Sequence, residues 1–185
     1  ILFRVRRLQI HLTIRADLST QQGTAMLADM IETEHSDLAL LVNNAGYVEP
    51  GDVDALTPDQ LDRHIFINLI APMQLSRAAA RVMRPRKSGD ILSIVSMGGI
   101  IALKTSAAYA ASKFGLRGFQ TSIRSELIND GVRVMGVFPS GVDTPMLRYE
   151  ATHRGSPLNF VGKVLTAGEV ADACMKALDT GRLET

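Results

Sequence analysis

The chain has no tryptophan, a single cysteine and only 5% aromatic residues in 185. One thiol, Cys174, cannot close an internal disulfide, and no Cys/His cluster has zinc spacing, which excludes a disulfide scaffold and a structural metal and points to a reducing, cytoplasmic setting. Neither sign of charge dominates: 20 basic residues face 19 acidic ones, so there is no field to draw in nucleic acid or an anionic membrane surface. No run approaches the roughly 18 apolar residues of a membrane span. The opening stretch, residues 1–12, is apolar but interrupted by Arg4, Arg6 and Arg7, with no small-residue cleavage site after it, so it is a poor secretory signal. What remains is a soluble globular domain, 46% hydrophobic and long enough for one core, whose partner is a small molecule or another protein.

The apolar pattern alternates between two periods. Leu8, Ile10, Leu12 and Ile14 repeat every second residue, as in an edge strand. Ala25, Met26, Met30 and Ile31 then follow helical spacing within residues 21–36, and 38–42 is a short continuous apolar run, as in a strand covered on both faces. Thr57, Pro58 and Gln60 form a capping box that opens a long helix continuing to residue 82. Strands at 91–95 and 132–138 flank a helix at 107–128, and Thr166 with Glu169 caps a last helix over 167–178. Residues 139–165 show little periodicity, which marks a functional or mobile segment. The repetition of strand and helix predicts an α/β fold, a doubly wound, mostly parallel sheet in three αβα layers.

Ligands of such sheets bind outside the carboxyl ends of the strands. Asn43, Asn44, Ala45 and Gly46 end one predicted strand, with amides for hydrogen bonding and small residues for close approach. Ser96 ends the next, ahead of Met97, Gly98 and Gly99. Tyr109 and Lys113 stand four apart in a predicted helix, on one face and about 6 Å apart along the axis. An ammonium beside a phenol favours the phenolate, so the pair predicts a tyrosine tuned toward proton transfer.

Asn43-Asn44-Ala45-Gly46, then Asn68, Ser96, Tyr109 and Lys113, resemble the short-chain dehydrogenase/reductase pattern in order and spacing over nearly the whole chain. The resemblance implies a Rossmann-like fold, NAD or NADP as cofactor, and hydride transfer between an alcohol and a ketone or aldehyde. It makes Tyr109 the general acid/base, Ser96 the hydrogen-bond partner of the reacting oxygen, Lys113 the holder of the nicotinamide ribose, and Asn68 part of a water-linked proton relay. Asn43, Ala45 and Gly46 would line the cofactor, Asp17 and Leu18 would contact the adenine, and Val142 and Thr144 would meet the carboxamide side of the nicotinamide. A homodimer or homotetramer through the two long helices is implied as well.

Two features depart from the pattern. Ser140 occupies a position usually held by glycine, and no TGxxxGxG follows a strand anywhere in the 185 residues, although the family places it before Asp17. After residue 178 no glycine-rich strand is evident. The expectation is a partial domain without its first two strands and its last, and the competing expectation is a catalytically silent remnant that binds or oligomerises. Met146, Leu147, Leu158, Phe160 and Val161 suggest a hydrophobic substrate. His11, His35, His64 and His153 read as surface or edge residues, Cys174 as half-buried, and Arg81, Arg84, Arg86 and Lys87 as cations suited to a helix C-terminus.

Overall fold

The computed structural model describes residues 13–185. The first predicted strand falls almost entirely outside these residues, and Thr13 and Ile14 lie in no strand. In chain order the elements are α1 (Gln21–Thr33), β1 (Leu40–Asn43), α2 (Pro58–Ile65), α3 (Ala71–Met83), β2 (Gly89–Ile94), α4 (Ala107–Leu127), β3 (Val132–Val137), α5 (Pro145–Thr152) and α6 (Ala167–Thr180). Each strand returns through a helix, so the sheet β1-β2-β3 is parallel throughout.

Alternation along the strands builds one core on each face. Ile91, Val132 and Val134 point toward Ala79 and Met83 of α3 and Leu127 of α4. Leu92, Met135 and Val137 point the other way, against Val170, Cys174 and Ala177 of α6. Covering both faces is what continuous apolar strands require, and it gives the three-layer α/β fold that the pattern predicts. Cys174 is 1% exposed, deeper than the half-burial expected of it. Among the described residues β1 pairs only with β2.

Three further expectations are corrected. The long helix from Pro58 is not uniformly α: residues Phe66–Ile70 form a π-helical turn between α2 and α3, with the Ala71 N–H bonded to the Phe66 carbonyl five residues back. The segment 139–165 contains a helix, α5, started by Thr144 accepting from the Leu147 N–H at 3.4 Å and by Pro145. On α1 the buried residue is Thr24, outside the apolar set at helical spacing, while Met26 of that set is 40% exposed. Residues 183–185 form no fourth strand but run parallel beside β3 through an isolated bridge, with the Gly136 N–H donating to Leu183 O, the Phe138 N–H to Thr185 O and the Thr185 N–H to Gly136 O. No helix among the described residues is long and apolar enough to cross a membrane.

Candidate active site

The parallel strands end at one edge, and the chain leaving each delivers part of a site. After β2, Ser96 adopts φ 133° and ψ 157°, a region that glycine alone enters readily and that costs a serine about 1–3 kcal/mol. The turn directs its Oγ to accept from the Gly98 N–H at 3.0 Å and toward the Tyr109 phenol. Gly98 is required here, because a Cβ would lie 2.9 Å from Tyr109 Cε1.

Tyr109 and Lys113 stand on one face of α4, with Lys113 Nζ 5.7 Å from the tyrosine ring centroid. Tyr109 is half-buried, and that burial pushes its phenol up to about 12, opposed by the hydrogen bond with Ser96 and reinforced by the nearby Glu150 carboxylate. This reverses the expected direction, which had the lysine lowering the phenol. Lys113 is itself buried and pulled down to about 8, so its charge is costly to keep. Its ammonium donates to the Ile94 carbonyl at 2.9 Å, and its other two donors have no protein acceptor among the described residues.

Asn68 is fully buried in the π-helical turn, whose altered phase brings it inward. Its Oδ1 accepts from the Tyr47 N–H at 2.8 Å, and its Nδ2 donates to the Tyr47 carbonyl at 2.9 Å and to Ser112 Oγ at 3.1 Å. Ser112 in turn donates to the Tyr109 carbonyl at 2.7 Å. The Asn68 side chain therefore registers the loop after β1 against α4. Ser112 was visible only as a member of the Tyr109-to-Lys113 run; its bridging role has no signature of its own.

Around this centre the other sequence candidates divide. Asn44, Ala45 and Gly46 are exposed at the end of β1. Asn43 faces inward, its Nδ2 donating to Ser76 Oγ at 3.1 Å and Ser93 Oγ at 3.5 Å. Asp17 forms a local turn with Ser19, whose N–H and hydroxyl donate to its Oδ1 at 2.9 and 2.7 Å and hold its carboxyl below the usual range. Leu18 beside it is half-buried. Val142 pairs with Leu165, and the Thr144 hydroxyl starts α5 while donating to the Val142 carbonyl at 3.2 Å. Ser140 does not have a positive φ; the close approach falls one residue later, where a Cβ on Gly141 would lie 2.5 Å from the Asn159 carbonyl oxygen.

Two acidic residues and a histidine near the site escaped the sequence. Glu150 is buried on α5, accepts from Asn159 Nδ2 at 2.8 Å, and has its carboxyl raised by burial. His64, expected at the surface, is 0% exposed: its Nδ1–H donates to the Gln60 carbonyl at 2.6 Å and its Nε2 accepts from the Glu49 N–H at 3.0 Å. Those partners fix the neutral ring, and burial lowers its affinity for a proton. The Glu49 carboxylate accepts from the Tyr149 hydroxyl.

The profile of the family described as short chain dehydrogenase matches residues 6–155. (+)-Borneol dehydrogenase 1 of Salvia officinalis is 32% identical over 172 residues, 88% of this chain and 66% of its own. The bulky-bulky ketone specific alcohol dehydrogenase of Comamonas testosteroni superposes with a TM-score of 0.78 at 25% identity, over 93% of this chain and 63% of that one. A short-chain dehydrogenase of Sphingobium yanoikuyae, solved with NADPH, gives 0.82 at 24% identity, over 92% of this chain and 65% of that one. The chain thus spans just under two thirds of the length of these relatives. With Ser96, Tyr109 and Lys113 gathered at the carboxyl end of the middle strand, and the profile covering most of the sequence, the chain belongs to the short-chain dehydrogenase family.

Proposed function

We propose that this chain carries the acid/base centre of an NAD(P)-dependent oxidoreductase that interconverts an alcohol and a ketone or aldehyde. The observation that carries this reading is the gathering of the Tyr109 ring and the Ser96 hydroxyl around Gly98, with a buried Lys113 beside them. Ser96 Oγ binds the substrate oxygen. Tyr109 Oη gives that oxygen a proton in the reducing direction and removes it in the oxidising direction. A phenol near 12 is protonated at neutral pH, the form that reduction needs.

The nicotinamide, when bound, supplies or accepts the hydride. Lys113 fits its ribose, since an ammonium buried with one carbonyl acceptor has two donors left for hydroxyls. The exposed Asn44-Ala45-Gly46 segment offers backbone and small side chains for close approach. Val142 and Thr144 belong on the carboxamide side, Asp17 and Leu18 on the adenine side, and Asn68 holds the loop between them. The names of the Salvia and Comamonas relatives favour a bulky, hydrophobic substrate. The exposed face of α4, with Phe114, Gly118, Thr121 and Ser122, suits pairing with a second copy of the chain.

Tyr109→Phe in the full-length protein, assayed with borneol and NAD or NADP, should lower kcat by about 10²–10⁴. Cofactor affinity, read from the fluorescence of bound NADPH or NADH, should change little. A variant that keeps most of the rate overturns the assignment.

A further inference from the structure

A polar chain crosses the site. Ser112 and Asn68 join the Tyr109 carbonyl to the backbone of Tyr47. Two residues on, the Glu49 N–H is held by His64, so its carboxylate is presented from a fixed backbone. That carboxylate accepts from Tyr149 Oη at 2.8 Å (Oε1) and 3.0 Å (Oε2). The Tyr149 ring stacks on His153 at 3.9 Å between centroids and 16° between planes.

Sheet order gives this contact its meaning. Glu49 belongs to the segment leaving β1 and Tyr149 to the segment leaving β3, while Ser96 leaves the strand between them. A bridge between the outer segments spans the carboxyl end of the middle strand. Met146 makes a second approach across the same gap, its Cε 3.7 Å from the Cβ position of Gly46.

We propose that Glu49 and Tyr149 are a positioning pair that holds α5 as the outer wall of the substrate cleft and so sets the bulk of alcohol or ketone admitted. The proposal rests on the oxidoreductase reading above. A phenol donating to a carboxylate makes a charge-assisted bond, stronger than a neutral one yet breakable where both groups are only half-buried. When it breaks, α5 remains anchored by buried Leu147 and by the pairing of Val142 with Leu165, and its outer end swings from the β1 side. A small substrate then loses contact with the wall, while a bulky one gains room.

The test uses full-length Tyr149→Phe, Glu49→Gln, Glu49→Ala and the Tyr149→Phe/Glu49→Ala double variant, with cyclohexanol and borneol as probes and backbone hydrogen exchange as the independent readout. Tyr149→Phe should raise KM for cyclohexanol about tenfold, more than for borneol, with kcat affected less than KM. Glu49→Gln keeps an acceptor and should lie between wild type and Glu49→Ala. The double variant should be no worse than the worse single, because both remove one bond. Exchange over 147–153 should quicken in Tyr149→Phe. Unchanged exchange there, an unchanged ratio of the two KM values, or additive single effects would overturn the pair. Wild-type protein inert toward both alcohols would instead strike the oxidoreductase reading, and exchange would still judge the bridge.

Discussion

The two helices that flank the proposed site are held in different ways. α4 buries Ala108, Ala110, Ser112, Lys113, Leu116, Gln120 and Leu127 along its length and packs on β3 and on the turn after Ser96. α5 buries Leu147 and Glu150 in its eight residues and is fixed to its surroundings by separate polar contacts, Tyr149 to Glu49 and Glu150 to Asn159. Tyr109 and Lys113 sit on the packed element, where small displacements are resisted from several sides. The proposed wall of the substrate cleft sits on the tied one, where a few bonds set the shape. Chemistry demands sub-ångström placement, and selectivity gains from a wall that single substitutions can move.

The comparison breaks most sharply at Lys113. Lys113→Met should lower turnover by about 10² or more, and weaken cofactor binding as well, because on the proposed reading Tyr109 and the ribose both lose a partner. Folding stability should not fall with it. The lysine has an ordinary value of 10.5 and stands near 8 when folded, so below 8 the fold carries a desolvated ammonium that methionine removes. Between about 8 and 10.5 the folded protein sheds a proton that the unfolded chain keeps, so wild-type stability should rise with pH relative to the variant. Chemical denaturation of both at pH 7 and pH 9.5 measures this. A Lys113→Met protein much less stable than wild type at pH 7 would show that the ammonium is a structural tie.

Packing gives the next largest contrast. Leu92 is 0% exposed between β3 and α6, and Leu92→Ala should cost about 2–5 kcal/mol in equilibrium denaturation. Leu147 is 9% exposed on α5, where the helix can shift to fill the space. Leu147→Ala should cost clearly less globally, while hydrogen exchange within α5 accelerates.

The same division decided what could be read from the sequence. Strands of the packed sheet were legible because residues covered on both faces must be continuously apolar, and the helix with Tyr109 and Lys113 was legible by period and motif. α5 was not, although Thr144-Pro145 follows the same rule as Thr57-Pro58: its N3 residue is Leu147, so no capping box marks the start, and eight residues are too few to show a period. The π-helical turn was hidden because hydropathy carries no trace of a fifth-residue hydrogen bond. A buried Asn68 among Phe66, Ile67, Leu69 and Ile70 was its visible sign. His64 stands beside Asp62 and Arg63, so its polar neighbours concealed a 0% exposed ring. The pairing of Glu49 with Tyr149 joins positions 100 apart and leaves no local pattern.

His64 offers a pH test of the loop that carries Glu49. It is faced by the Tyr47 ring at 4.8 Å, the Gln60 carbonyl and the Glu49 N–H, with the Glu49 charge as the counter-influence. Burial lowers its pKa from 6.5, so below that value the unfolded chain takes up a proton that the folded ring refuses. Stability should therefore fall as pH drops from 6.5 toward the folded value, where a protonated Nε2 could no longer accept from Glu49. His64→Gln should flatten that slope. An equal slope in both proteins would mean that His64 binds protons alike in the folded and unfolded states.

The smallest effects concern the two threonine caps, and they separate global from local stability. Thr57 closes a full capping box: its Oγ1 accepts from the Gln60 N–H at 3.3 Å while Gln60 Oε1 accepts from the Thr57 N–H at 2.9 Å. α2 leads through the π-helical turn into α3, whose Ala79 and Met83 lie in the core, so fraying at Thr57 is resisted by the whole fold. Thr57→Ala should then cost about 1 kcal/mol of global stability, the usual worth of a threonine cap. At the start of α5 the Thr144 hydroxyl makes one cap bond, accepting from the Leu147 N–H at 3.4 Å, besides donating to the Val142 carbonyl at 3.2 Å. If α5 is a tied segment that opens on its own, Thr144→Ala should leave the global denaturation midpoint close to wild type while exchange within α5 quickens severalfold. Equal losses of global stability from both substitutions would place α5 in the same cooperative unit as the sheet, and the contrast between a packed wall and a tied one would not hold.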